Sequence, residues 1–391
     1  MIKKITKEKN ALILISLAWF LVLGGRYSIS NLLPRIVDEL NFSWIDAGFA
    51  LTIMWLLYAI IQFPSGIFSD IKGRKITIIV SMIIFSFSYI LVGLSNIYAM
   101  FFIALILLGL GTGGYPAVGI SMITDIFKEN RGRALGIRES AGSIAYLVPL
   151  FAAVIASNYD WRLFFFIWAV ICLVSLLMFY FKTTESTTIP DKVSIKERVL
   201  DGIKIIIQKD IQLMFVINLF IAITWISYMS FYPAYLVVEK GFTEIQAALA
   251  LGVLGIGGFI FKPIIGNLSD KYDKKIIIII LSLIAAFGTL FIVNIDSIVI
   301  ILIMSFLPAF ATAIFPVISS YLMHQWPEKG RAGKLGFYRS NLILLASPSS
   351  AVIGILADRY NFDIPFLGIS FILFLVVFIL TINILINKYK K

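Results

Sequence analysis

Five charged residues lie inside otherwise apolar runs of this chain: Arg26, Arg138, Glu139, Lys262 and Arg339. A charge at the centre of a bilayer costs about 3 kcal/mol on insertion scales, so each is a functional candidate by default. Four of the five are cationic, which suits a site for an anion. A guanidinium grips a carboxylate or phosphate through two parallel hydrogen bonds. Arg26 falls in Gly24-Gly25-Arg26-Tyr27-Ser28-Ile29-Ser30-Asn31. There it either anchors an acid group or extends its stem toward the outer head groups. Arg138 and Glu139 are adjacent, so on a helix they point about 100° apart and each is expected to find a different partner. Glu139 is the one acid well inside a run, and so the candidate titrating group. Glu139 and Lys262 have similar depth, and either form a gating ion pair or merely neutralise charge near the membrane surface. Tyr27, Tyr338 and Asn341 add polar tips near Arg26 and Arg339, and Gln62 is the pseudo-symmetric counterpart proposed for Arg339.

These residues need long elements to hold them. The chain is 60% hydrophobic and only 14% charged, where a soluble domain carries about 25% charge. Twelve apolar runs are each long enough to span a bilayer as a helix, the first near residues 10–33 and the last near 364–386. They are continuous and do not alternate, so helices and not barrel strands are expected. The formal charge of +11 raises nucleic acid as a partner, and its distribution excludes it. Of the 33 Lys and Arg, four lie in spans; only Arg35, Arg162, Lys240 and Arg359 fall on one side, and the other 25 share the side of the termini. That bias places both termini in the cytoplasm of a multi-pass protein of the cell membrane. The single Cys172 can form no internal disulfide, and the single His324 gives no His-rich metal site. The first run lacks a small-residue cleavage signature and is read as a retained span. No Gly-x4-Gly-Lys-Ser/Thr phosphate loop and no nucleophile–base set is present. Neither an enzyme, a metal nor a cofactor is expected.

The chain also repeats itself. Gly66-Ile67-Phe68-Ser69-Asp70-Ile71-Lys72-Gly73-Arg74-Lys75 matches Gly266-Asn267-Leu268-Ser269-Asp270-Lys271-Tyr272-Asp273-Lys274-Lys275 at an offset of 200 residues. The same offset aligns Phe42 with Phe242, Pro116 with Pro316, Arg131 with Arg331 and Ser140 with Ser340. Concerted matches at one offset mean a duplicated unit. The expected division is a first six-helix bundle at 1–182, a cytoplasmic linker at 183–210 and a second bundle at 211–391. Within the linker, 193–207 reads either as an amphipathic surface helix or as a solvated tether.

Twelve spans in two halves, with Gly-x-x-x-Asp-x-x-Gly-Arg-Lys between spans 2 and 3, resemble the major facilitator superfamily of secondary transporters, and the Arg26 segment resembles its organic-anion members. The resemblance implies an all-α integral membrane protein of two pseudo-symmetric six-helix bundles working by alternating access. It implies a monomer that takes a small, anionic substrate together with protons. It also implies a cytoplasmic latch made of Gly66, Asp70, Gly73, Arg74 and Lys75, with Asp70 facing helix 11 or Arg331. A degraded second copy would set Asp270 toward Arg131 or Arg133. Gly66 is expected to allow close helix approach, and Arg74 and Lys75 to anchor the loop. The competing reading is that these charges only fix topology. Two family patterns are incomplete: Leu105 stands where proton-coupled members carry an Arg before Gly109 and Gly111, and Val148-Pro149-Leu150-Phe151-Ala152-Ala153 lacks the glycines of drug antiporters. The alternatives to anion transport are efflux of amphipathic or cationic drugs and a non-transporting sensor on the same fold.

Overall fold

The computed structural model describes residues 2–185, 208–325 and 331–389. Most of the expected linker, including the candidate amphipathic stretch at 193–207, lies outside them. Among the described residues, twelve helices are long and apolar enough to cross a membrane, from Glu8–Leu40 to Asp363–Lys388. A spanning backbone must satisfy its own polar groups, and a continuous apolar sequence does so as helix. No strand occurs among the described residues.

The first half contains α1 (Ile2–Glu39), α2 (Trp44–Lys72), α3 (Arg74–Leu94), α4 (Tyr98–Gly113), α5 (Pro116–Ile126), α6 (Arg131–Ile144), α7 (Val148–Asn158) and α8 (Trp161–Lys182). The second contains α9 (Lys209–Val238), α10 (Glu244–Ser269), α11 (Lys274–Asn294), α12 (Ile298–Met304), α13 (Ala309–Gln325), α14 (Arg331–Ala346), α15 (Ser349–Arg359) and α16 (Asp363–Tyr389). Among the described residues four spans are therefore broken in two; the breaks of spans 5 and 11 match at the 200-residue offset, whereas span 10 breaks earlier than span 4 and runs on through Pro316, the match of Pro116. Span 4 breaks before Pro116 and span 10 between Met304 and Ala309, beside Pro308; span 5 breaks at the 3-10 turn Ala145–Leu147, before Pro149, and span 11 beside Pro348. Proline removes an N–H and clashes with the carbonyl four residues back, so it interrupts the ladder. Some helix starts are capped by side chains: Asp160 accepts from the Arg162 N–H, and Thr243 and Gln246 form a reciprocal capping box.

The chain divides into two compact units, one of Met1–Phe42 with Phe49–Leu200 and one of Ser43–Gly48 with Asp201–Lys391. In the first, α3 packs chiefly on α4 and α8, while α1 packs on α6, α7 and α8. In the second, α11 packs on α16 and α13, and α9 on α14. The second unit's interior is tied by neutral hydroxyl groups: Tyr228 to Thr289 at 2.7 Å, Tyr232 to Ser305 at 2.6 Å, and Asn218 donating to Tyr338 at 3.3 Å. Large apolar side chains such as Phe181 and Val170 of α8 and Phe371 and Phe378 of α16 are exposed, as lipid-facing positions require.

The turn between α2 and α3 is built on Gly73, whose φ of 107° is open to glycine and strained for any other residue. A side chain there would also strike the Glu185 carboxylate. Glu185 accepts from the Arg74 N–H at 2.7 Å and the Lys75 N–H at 3.1 Å, satisfying orphan donors at the start of α3. Gly73→Ala should cost about 1–3 kcal/mol and Glu185→Ala about 1 kcal/mol in denaturant unfolding of purified protein. Unchanged midpoints for both would contradict this account of the turn.

Candidate functional site

Span 1 supplies the backbone of the site. Gly25 lies against the Tyr89 ring, so close that any side chain at Gly25 would overlap it. Trp168 Nε1 donates to the Leu21 carbonyl at 3.2 Å, and Tyr89 lies at 3.4 Å from the Val22 carbonyl. These contacts fix the stretch of α1 that precedes Arg26.

Arg26 is 5% exposed, with its Cζ 4.3 Å from the Trp55 ring centroid and 4.7 Å from that of Tyr58. Its Nε, Nη1 and Nη2 are all buried without a hydrogen-bond partner. The guanidinium thus lies inside the first unit against α2, not extended toward head groups. Both rings lie within cation–π distance of it, at 81° to one another, and its donor edges remain unused. Tyr27, the next residue, is buried with its ring 4.4 Å from that of Tyr146.

Arg138 is 1% exposed, and its Cζ lies 4.2 Å from the Trp19 ring and 5.6 Å from that of Tyr115. Trp19 and Tyr115 stack on each other at 6.0 Å, and the Tyr115 hydroxyl donates to the Ile15 carbonyl. Contrary to the expectation of separate partners, Arg138 Nη1 donates to Glu139 Oε1 at 2.5 Å. The 100° between neighbouring Cβ atoms is spanned because both stems are long and flexible, and because Glu139, 61% exposed, is free to turn.

In the second unit Tyr338 is buried, accepting from Asn218 and lying 3.3 Å from the Met214 carbonyl. Arg339 is exposed and 3.4 Å from Ser319 Oγ, while Asn341 donates to the Phe337 carbonyl of its own helix at 2.8 Å. Lys262 is half-buried. Gln62 of α2 lies 3.3 Å from the Tyr58 carbonyl in the preceding turn.

The loop motif also differs in detail from its expectation. Arg74 forms a hub, donating to Asp70, Ser69 and Asp125 at 3.0 Å each. Lys75 Nζ donates to the Tyr180 and Thr183 carbonyls at 2.7 Å each. Gly66 allows no close approach: a side chain there would meet nothing within 4 Å, because that side of α2 looks onto open space. Asp270 and Arg131 are exposed, and the Arg331 side chain lies outside the described residues.

Sequence reasoning missed Trp19 and Trp55 as partners of the site and Glu185 as a cap. Trp19 carried a signal, since it lies seven residues before Arg26 and so on the same helix face. Glu185 carried none.

Comparison with known proteins gives this arrangement its context. The family model described as Major Facilitator Superfamily matches residues 15–341 and again 214–388. The chain belongs to the Major Facilitator Superfamily. It is 28% identical over 286 residues to a hexuronate transporter of Bacillus subtilis strain 168, covering 69% of this chain and 66% of that protein. It is 27% identical over 270 residues to multidrug resistance protein MdtG of Yersinia enterocolitica, covering 66% of this chain and 64% of that protein. The chain thus spans just under two thirds of the length of these curated relatives. Among solved structures, a point mutant of the nucleoside transporter NupG superposes with a TM-score of 0.81 at 12% identity, over 95% of this chain and 99% of that one. A bacterial homologue of the lysosomal transporter Spinster, in an inward-facing and occupied conformation, gives 0.78 at 16% identity, over 95% of each chain. These two likenesses concern the fold. Within the described residues, no group of His, Cys, Asp and Glu is arranged to hold a metal ion.

The Arg138–Glu139 contact generates a direct test. In unfolding measurements on Arg138→Met, Glu139→Gln and the double variant, the coupling should be about 1 kcal/mol or more. Additive effects would contradict the pairing.

Proposed function

We propose that this protein is a secondary transporter that moves a small organic anion across the cytoplasmic membrane by alternating access, coupled to protons. The observation that carries the reading is Arg26: a buried guanidinium whose three nitrogens have no hydrogen-bond partner. An unpaired buried cation is costly unless a ligand completes it. Beside the Trp55 and Tyr58 rings, Arg26 offers its donors in its own plane, which matches a planar carboxylate. The similarity to a hexuronate transporter supports an acidic substrate. Glu139 is the proposed proton carrier.

The rest of the cycle follows from the same assignment. Glu139 and Lys262 would meet when the cytoplasmic side closes, with Gln62 and Arg339 as the symmetric counterpart. Asp70 would latch that side, pairing toward Arg331, with Asp270 and Arg131 as the weaker second latch. Tyr27, Arg138, Tyr338, Arg339 and Asn341 would complete the substrate contacts in the course of the cycle. The working form would be a monomer with both termini cytoplasmic, with 1–182 and 211–391 as the moving bundles.

The similarity to MdtG favours a second reading, efflux of amphipathic or cationic drugs. Such a cargo would face Arg26 and Arg138, a repulsive pair, so the anion reading is preferred.

Thermal stabilisation of purified protein by glucuronate, gluconate, inorganic phosphate and ethidium separates the two. Acids should stabilise and ethidium should not. Arg26→Ala should remove most of the stabilisation and Arg26→Lys should retain more of it, because a point charge replaces a two-toothed fork. Stabilisation by ethidium alone would overturn the anion reading, and an unaltered response in Arg26→Ala would move the anchor elsewhere. In a second experiment, Asp70→Asn should shift spin-label distances across the cytoplasmic ends toward the open state. An unchanged distribution would remove Asp70 from the latch.

A further inference from the structure

Arg138 is only half used by Glu139. Its Nη1 holds the Glu139 carboxylate, while Nε and Nη2, the two donors of its other edge, are buried without a well-formed hydrogen bond, the nearby Tyr115 hydroxyl giving its proton to the Ile15 carbonyl. That edge is itself a two-toothed fork for a carboxylate. Trp19, whose ring lies under the Arg138 guanidinium, also has a buried Nε1–H with no acceptor. One turn earlier on the same face of α1, the Ser16 hydroxyl is buried and unpartnered as well. Buried donors normally find acceptors, and here Arg138, the Trp19 ring beneath it and Ser16 a turn earlier on α1 each carry one without.

Their position relative to Arg26 is set by helix geometry. Trp19 and Arg26 are seven residues apart, so they share a face and are separated by about 10 Å, or two turns. The charges also fail to balance: Arg26 and Arg138 are buried in the first unit, and Glu139 supplies one carboxylate against them.

We infer that the free edge of Arg138, the Trp19 indole N–H and the Ser16 hydroxyl form a second anion-binding subsite, about two turns from Arg26 toward the amino end of α1. The inference rests on the organic-anion reading and adds to it that a carboxylate has two stations along span 1. Both present in-plane donors beside two aromatic rings, Trp55 and Tyr58 for the first, Trp19 and Tyr115 for the second. Glu139 occupies the opposite edge of Arg138 and repels a second carboxylate, so this station is the weaker of the two.

The test is calorimetric titration of the full-length purified protein with sodium glucuronate. Two binding events are expected, and Arg26→Ala should leave only the weaker. Trp19→Phe keeps an aromatic ring there but deletes the N–H. It should leave the tighter event unchanged and weaken the other roughly tenfold, the effect of one hydrogen bond to a charged group. Should Arg138 variants fail to fold, Trp19→Phe carries the test without disturbing the buried charge. A single event, lost in Arg26→Ala and indifferent to Trp19→Phe, would overturn the second subsite and leave the organic-anion reading standing. Two events both indifferent to Trp19→Phe would likewise overturn it. Absence of any binding of glucuronate, gluconate or phosphate would overturn the anion reading itself, and this subsite with it.

Discussion

A guanidinium buried in a low-dielectric bundle without its counter-charge is the constraint around which the first unit is built. Desolvating such an ion costs several kcal/mol even after relaxation. The fold offsets part of this with polarizable surface. Trp55 and Tyr58 lie against Arg26, and Trp19 and Tyr115 against Arg138. Each cation–π contact contributes about 1–2 kcal/mol when desolvated. Hydrogen bonds do not cover the remainder, so the ions stay poised for an acceptor that the chain does not itself provide at Arg26.

The rest of the first unit serves that arrangement. The small residues at Gly24 and Gly25 let Trp168 and Tyr89 close on the back of α1, which fixes where Arg26 stands. At the far end of the same bundle, Arg74 gathers Asp70, Ser69 and Asp125, and Glu185 caps α3. The second unit is built differently. Its described buried polar groups are mainly neutral hydroxyls and amides, bonded to backbone carbonyls, as Ser305 to Ile301 and Ser370 to Ala286, or to one another, as Tyr228 to Thr289 and Asn218 to Tyr338. Neutral pairs satisfy themselves, whereas the first unit's cations are left with open valence. The two halves share a sequence repeat and a pattern of broken spans, but not the electrostatic role.

Much of this was legible before any coordinates. A charge inside an apolar run is conspicuous, so Arg26 and Arg138 stand out from their types and positions alone. Span number followed from run length, and Gly73 stood out from the family's loop motif, although the second copy has Asp273 there. What could not be read is what depends on register between helices. Trp55 belongs to Arg26 only because of how α1 and α2 pack, and Glu185 reaches α3 from beyond span 6. Arg138 and Glu139 were misjudged because helix periodicity places Cβ atoms, while long side chains decide where charges meet. Gly66 was misjudged because a small residue permits close packing without requiring it. The halves of spans 4, 5, 10 and 11 were visible only as prolines inside runs, which mark a break without saying how the backbone resumes.

The central claim, that the unpaired Arg26 makes this a carrier of organic anions, is tested most directly by transport in proteoliposomes. Counterflow of radiolabelled glucuronate should be measured beside that of ethidium, with vesicles preloaded with each unlabelled compound in turn. The account predicts accumulation of glucuronate in vesicles preloaded with glucuronate, and none of ethidium in either case. Counterflow of ethidium with no movement of glucuronate, gluconate or other small acids would contradict it.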